Sequence, residues 1–364
     1  IRLTAVDDHP SAALLDEVLF TIYPDDEAGD QQWEDLQEGQ LHVGRIPVDR
    51  RAEVEARFGG SIDGYRGPGL IDGVSSSAYL YGFNVTEEPF DDPRLRRALS
   101  LAIDRESLAE DLLDGTRVAA TSIIPPPFPG AQPDACEHCR HDPLTAVQLL
   151  EEVVDDLAAE EEDDATAEGE DGDEDGDDEA EGDDGDAGSD AAQRPDPAEL
   201  IGRIQLLHNR GATHTAIAER LADDIEQVLG LEVDFQAIGL QPFIRSVRAG
   251  DVPVFRMGWD VSGPDIDSYL WPLFHSSQIG RDNLTRYENP EVDELLERAR
   301  ATTDAEERLE LYQQAERKIL RDVPAIPVLW DRHRLAIALE VRGLEVSPYG
   351  RFTLEEAWLD PESG

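Results

Sequence analysis

Residues 155–190 hold 21 acidic side chains and no basic one. A stretch made almost wholly of Asp, Glu, Gly and Ala cannot bury enough apolar surface to offset the entropy lost on ordering it. No core can run through it, so residues 155–198 are expected to be a disordered insertion between two foldable blocks. The blocks are acidic as well. The chain carries 82 Asp plus Glu against 31 Lys plus Arg, a net charge of −51, and 61 of the acidic residues lie outside the tract. Such a surface cannot neutralise a phosphate backbone, which argues against a nucleic-acid partner. It suits a monomer that repels its own kind, and a saline environment. A length of 364 residues leaves room for two or three domains.

The first block opens with a strand pattern over 15–23 and a short helix over 30–37 stopped by Gly39. Residues 59–76, rich in Gly and Ser, read as loop. From Pro93 an apolar helical face appears in Leu95, Ala98, Leu99, Ala102 and Ile103, and Asp104 can cap a following helix that ends at Gly115. The prolines of 123–130 forbid both helix and central strand, leaving an extended connector. A short helix is expected over 142–154.

Beyond the tract the periodicity alternates cleanly: strand 204–208, helix 215–229 closed by Gly230, strand 231–235, helix 241–248, strand 252–259. This β-α-β-α-β order implies parallel pairing through right-handed crossovers. Helices over 290–301 and 304–321 follow, the second opened by a capping box of Asp304 with Glu307. Two strands, 325–330 and 334–341, close the chain. No stretch approaches the ~18 to 20 apolar residues of a membrane-spanning helix.

Chemistry is sparse. Cys136 and Cys139 form a C-x-x-C beside His138 and His141. A structural zinc site usually needs a second pair at longer spacing, so a local disulfide, free thiols and a metal site remain as alternatives, the disulfide implying an oxidising compartment. Asp171, Asp173, Asp175 and Gly176 match the start of a calcium-binding loop, but its twelfth position is Gly182 instead of the bidentate Glu. A solvated polyanion that collects cations weakly is the alternative function this tract offers. No nucleophile elbow, zinc-protease motif or phosphate-binding loop is present, and on so acidic a surface paired carboxylates arise by chance; an enzyme and a cofactor are not expected, nor a metal centre beyond the alternative left open at Cys136 and Cys139. Trp259 and Asp260, with Ser262, Gly263, Pro264, Asp265 and Asp267, stand at the end of the third strand of the β-α-β-α-β unit. Ligands of open α/β sheets gather beyond the carboxyl ends of such strands. Trp259 is either a stacking surface there or a core residue.

Residues 81–115 (YGFNVTEEPFDDPRLRRALSLAIDRESLAEDLLDG), IIPPPFPG, CEHCRHDPLTAVQLLEE, the Gly258-Trp259 pair, NLTRYENPEVDELLERA, ERLELYQQAERKILRDVPAIPVLW and VRGLEVSPYGRF together resemble the family 5 extracytoplasmic solute-binding proteins of ABC importers, the peptide, dipeptide and nickel type. The resemblance runs over roughly 14–359, the acidic tract excepted. It implies an α/β fold of the class II periplasmic-binding-protein type, with two lobes that close over a ligand. In that family the segment resembling LDEVLFTIYPDDEAGDQQWEDLQEGQLHV is preceded by a much longer stretch. Residues 1–83 are therefore expected to be an incomplete first lobe, 84–330 the second lobe holding the acidic insertion, and 331–364 the return to the first lobe. The resemblance further implies a receptor that captures extended peptides and delivers them to ABC permease transmembrane subunits, placed in the periplasm or held at the cell surface by an N-terminal lipid. A nickel chelate or an oligosaccharide is the alternative solute.

The family's peptide receptors hold the ligand's amino group with an Asp shortly after the Gly-Trp pair, and the matching position here is Ser262. Asp260 or Asp265 is expected to reach the same place, and Arg210 lies near the Arg that dipeptide receptors keep for the carboxylate. Asn84, in the segment crossing between lobes, is expected to be structural, and His42 stands where the family often has Asp.

Overall fold

A computed structural model describes residues 1–6, 14–23, 28–47, 50–60, 64–169 and 195–362. Its centre is a seven-stranded mixed sheet. Strands Ile204–Asn209, Val233–Ile238 and Val254–Trp259 are the parallel part, with Ile204–Asn209 in the middle, paired at Leu206 to Val254 and at Ile204 to Val233. The crossover helices expected between them are Ala212–Leu229 and Leu240–Ala249. Gly230 and Gly250 close these helices in the left-handed conformation, which carries no Cβ penalty for glycine.

Strand Gly69–Phe83 then pairs antiparallel with Val254–Trp259 on one side and with the 13-residue strand Ala325–Ile337 on the other. Val43–Arg45 and Arg117–Ala119 add short antiparallel edges to Ala325–Ile337. Helices cover both faces. Against one face, Leu95, Leu99, Leu150, Val154, Ile217, Leu221 and Ile225 pack on Tyr79, Tyr81, Phe83, Leu206 and Val254. Against the other, Phe243, Leu273, Leu296, Leu311 and Ile319 pack on Leu80, Leu207, Phe255 and Met257. The two long strands continue out of this α/β/α body into two small clusters, one around Trp33, Val54, Phe58 and Leu70, the other around Ile71, Ile337, Val341 and Val346.

Several expectations shift. Residues 69–76 are strand, not loop, because backbone bonds to Ala325–Ile337 hold them; the serines sit where the register slips between Val74 and Ala78. The two closing strands are one, since Asp331, Arg332, His333 and Arg334 stay within the ladder. The strand expected over 15–23 is reduced to Glu17–Leu19, paired with Arg2–Thr4. The helix expected to stop near 154 runs from Pro143 to Gly169, carried past the fully buried Val154 by Ala and Glu, both strong helix formers. Helix Pro197–Ile201 likewise takes up the end of the expected insertion, whose residues 170–194 lie outside the described ones. Asp304 caps helix Ala305–Asp322 by accepting from the amides of Glu306 and Glu307, but Glu307 does not bond back to it; its carboxylate takes Thr302 Oγ1 instead.

Candidate functional site

The three parallel strands end at one edge of the body, where the loops after Asn209, Ile238 and Trp259 lie. The turn after Trp259 is tied down on every side. The Trp259 indole donates to Ser268 O at 2.7 Å, and its half-buried ring packs at the margin of the core. The Ser76 hydroxyl lies 3.0 Å from Asp260 Oδ1 and 2.9 Å from Val261 O, and Tyr269 donates to Ser76 O. Asp265 accepts from the Asp267 amide and forms an ion pair with Arg308 at 2.9 Å. Asp267 is held by Arg300, again at 2.9 Å. Ser262 is exposed. So Asp260 staples the turn to the crossing strand, Asp265 anchors it to helix Ala305–Asp322, and Trp259 is partly a core residue with its donor already engaged. Arg210, exposed in the loop after Asn209, bonds Ile238 O through its backbone amide, while its side chain has no hydrogen bond or ion pair with a described residue. Asn84 is buried and structural, its amide donating to Gly250 O and Glu87. His42 is half exposed and 4.0 Å from Glu340.

The sequence reading missed a second group, on the other face of the same strands. Arg256 points from the strand Val254–Trp259 over the face of Tyr79, its guanidinium 4.8 Å from the ring centroid. Arg117, from the edge strand, lies 4.9 Å from the same ring and 2.7 Å from Asp331. Arg256 Nη1 reaches Asn209 Oδ1 at 3.3 Å. Arg256 Nε and Arg117 Nη1 are buried and have no hydrogen-bond partner among the described residues. Gly258 makes room: a Cβ there would lie 2.5 Å from Arg256 Nη2. His214, on the first turns of helix Ala212–Leu229, sits with Nδ1 3.2 Å from the Tyr79 hydroxyl. Burial, and then the charges of Arg256 and Arg117, push its imidazole down to about 4, so it is neutral at pH 7. Burial also raises the Tyr79 phenol. The pair is thus an uncharged hydrogen bond under a local positive field in a protein of net charge −51. Arg256 carried a signal, a lone charge inside the apolar run VFRMGW; Tyr79 and Arg117 reach it only through strand pairing that no local pattern displays.

Away from this edge, Cys136 and Cys139 are joined as a disulfide. His138, buried between them, is bound to Ser100 Oγ and Leu320 O, so both its nitrogens are engaged. The calcium-loop residues Asp171, Asp173 and Asp175 lie outside the described residues.

An α/β/α body entered and left by two long strands has the fold of a two-lobed periplasmic binding protein. HbpA2 from Haemophilus parasuis shares it, with a TM-score of 0.74 at 19% identity over 99% of this chain and 61% of that one. The chain belongs to the bacterial extracellular solute-binding proteins, family 5, whose model matches residues 1–281. Its members are periplasmic or extracellular substrate-binding proteins, not enzymes. Curated relatives include the probable deoxycholate-binding periplasmic protein YgiS of Escherichia coli, 28% identical over 80% of this chain and 45% of that protein. The dipeptide-binding protein of the same organism is 25% identical over 95% and 56%. The chain therefore spans about half the length of these relatives. No helix among the described residues is long and apolar enough to cross a membrane.

Proposed function

We propose that this chain is the ligand-binding receptor of an ABC importer that captures extended peptides and passes them to permease transmembrane subunits. Residues 84–330, together with the inner end of the strand Gly69–Phe83 that supplies Tyr79, form the lobe that carries the site, and the rest of residues 1–83 with 331–364 belongs to the facing lobe, joined through the two long strands. The single observation behind this reading is the cationic and aromatic group toward the carboxyl end of the parallel strands, where Arg256 and Arg117 each lie within 5 Å of the Tyr79 ring. Extended peptides suit such a site because main-chain hydrogen bonds tolerate any side chain, while fixed charges read the ends. Ligand shifts the receptor toward its closed form by binding that form better, and the closed shape is what a permease recognises. An extracytoplasmic place, with a lipid anchor preceding the folded body, fits the family. Titration calorimetry with a mixture of di- to pentapeptides tests the reading: saturable heat is expected, and none with any peptide would end it.

A second reading keeps the receptor and changes the solute. Ser262 supplies no carboxylate for an amino group, and one relative is named for deoxycholate, an anionic amphiphile with a carboxylate and no amine. A carboxylate-bearing solute that is not a peptide is the alternative this favours.

A further inference from the structure

We infer that the two parts of the molecule turn on Ser76, and that the hairpin tip 347–351 is the clamp that fixes their angle before any ligand arrives. The inference rests on the receptor reading above and names Ser76 and Tyr349 as the residues that position one lobe against the other. The ladder between Gly69–Phe83 and Ala325–Ile337 breaks at the junction. Val74 pairs with Arg332 and Ala78 with Trp330, so Ser75, Ser76 and Ser77 stand opposite Asp331 alone. On one side of this break the strands line the α/β/α body, and on the other they line the two small clusters. A bulge bends and twists its strand, and this one falls where two packed units meet.

Ser76, buried at the break, spends every polar atom outside the ladder. Its hydroxyl goes to Asp260 and Val261 O and its carbonyl accepts from Tyr269, all in the body. Its amide donates instead to Pro348 O at 2.9 Å, at the tip of the hairpin formed by Glu345–Val346 and Phe352–Thr353. His333 donates to the same carbonyl at 2.8 Å. The next residue wedges the tip against the body. Tyr349 meets Phe128 edge-on with centroids 5.3 Å apart, Phe128 meets Tyr269 edge-on at 5.3 Å, and the Tyr349 hydroxyl donates to Pro127 O at 3.3 Å. The prolines of 123–130 stiffen that connector, so the ring presses on a fixed wall. One hairpin tip thus touches the bulge and the wall together, closing a triangle that the two strands alone would leave hinged.

Distances between spin labels on Glu38→Cys and Glu219→Cys, both exposed, test this in the unliganded protein, where the native cysteines are held as a disulfide. The parent should give one narrow distribution. Tyr349→Ala should widen it about twofold or more, and should weaken tripeptide binding in calorimetry by about 3- to 10-fold, because the lobes must then be ordered on binding. Tyr349→Phe, which keeps the ring, should match the parent in both measurements. Phe128→Leu, which keeps an apolar core residue and removes the wall, should widen the distribution as well and serves if Tyr349→Ala fails to melt cooperatively. A parent-width distribution in both Tyr349→Ala and Phe128→Leu overturns the inference, whether or not a peptide binds. Widening in a protein that binds no peptide supports the clamp and removes the peptide reading.

Discussion

His138 ties the Cys136–Cys139 turn to the end of helix Ala305–Asp322 through Leu320 O at 2.8 Å, and to Ser100 Oγ at 2.9 Å. Burial in this place pushes its imidazole down from 6.5 to about 4. Between those values the unfolded chain holds a proton that the folded chain does not, so stability rises with pH through the window and is lost as pH falls through it. The fully developed effect is on the order of 3 kcal/mol. Denaturant titrations from pH 4 to pH 7 should show His138→Gln with a flatter stability profile than the parent; parallel profiles would exclude this proton. At the same scale the functional site was half legible. Trp259, Asp260, Ser262 and Asp265 stood out because they follow an apolar strand, but the partners that engage the two carboxylates, Ser76 and Arg308, are distant in sequence. Nothing local announces that a carboxylate has been used as a staple.

Helix Pro93–Ala102 meets the sheet through Arg105, which is buried and donates from each guanidinium nitrogen: Nε to Pro327 O at 2.7 Å, Nη1 to Ser100 O at 2.9 Å and Nη2 to Ser100 Oγ at 2.7 Å. A cation placed on the last carbonyls of a helix also complements its dipole. Burial lowers the guanidinium to about 9, which still leaves it charged at neutral pH. Arg105→Ala should cost about 3 kcal/mol, because it opens a cavity and strands two buried carbonyls; a loss below about 1 kcal/mol in the denaturant midpoint would contradict this. Elements were most legible where period and punctuation agreed. The parallel strands and their helices were read to within three residues at each end, with Gly230 closing its helix as expected. Reading failed where a partner elsewhere decides the matter. Asp331 and Arg332 interrupt an apolar run, yet the strand persists because Arg117 and Asp72 receive them across the ladder at 2.7 and 2.8 Å. Residues 69–76, poor in side-chain signal, are strand because Ala325–Ile337 lies beside them.

The whole chain folds against a net charge of −51. Self-repulsion of this size is screened within about 10 Å at 0.1 M salt and about 3 Å at 1 M, so the melting temperature should climb as sodium chloride is raised from about 0.01 to about 1 M. A flat or falling curve would mean that the acidic surface is already neutralised in the folded state. The fold class was legible at this scale because alternating strands and helices admit few topologies. The reach of the two long strands into the smaller clusters was not, since one was read as loop and the other as two pieces. The geometry of the carboxyl edge is where fold and function meet, and hydrogen exchange reports on it directly. Adding saturating tripeptide should slow exchange by about tenfold or more in the segments 210–216 and 256–262, and leave amides at the far end of the body, near Arg97 and Arg321, unchanged. Protection confined to that far end, or none at the carboxyl edge while the peptide is bound, would contradict a ligand seated at that edge.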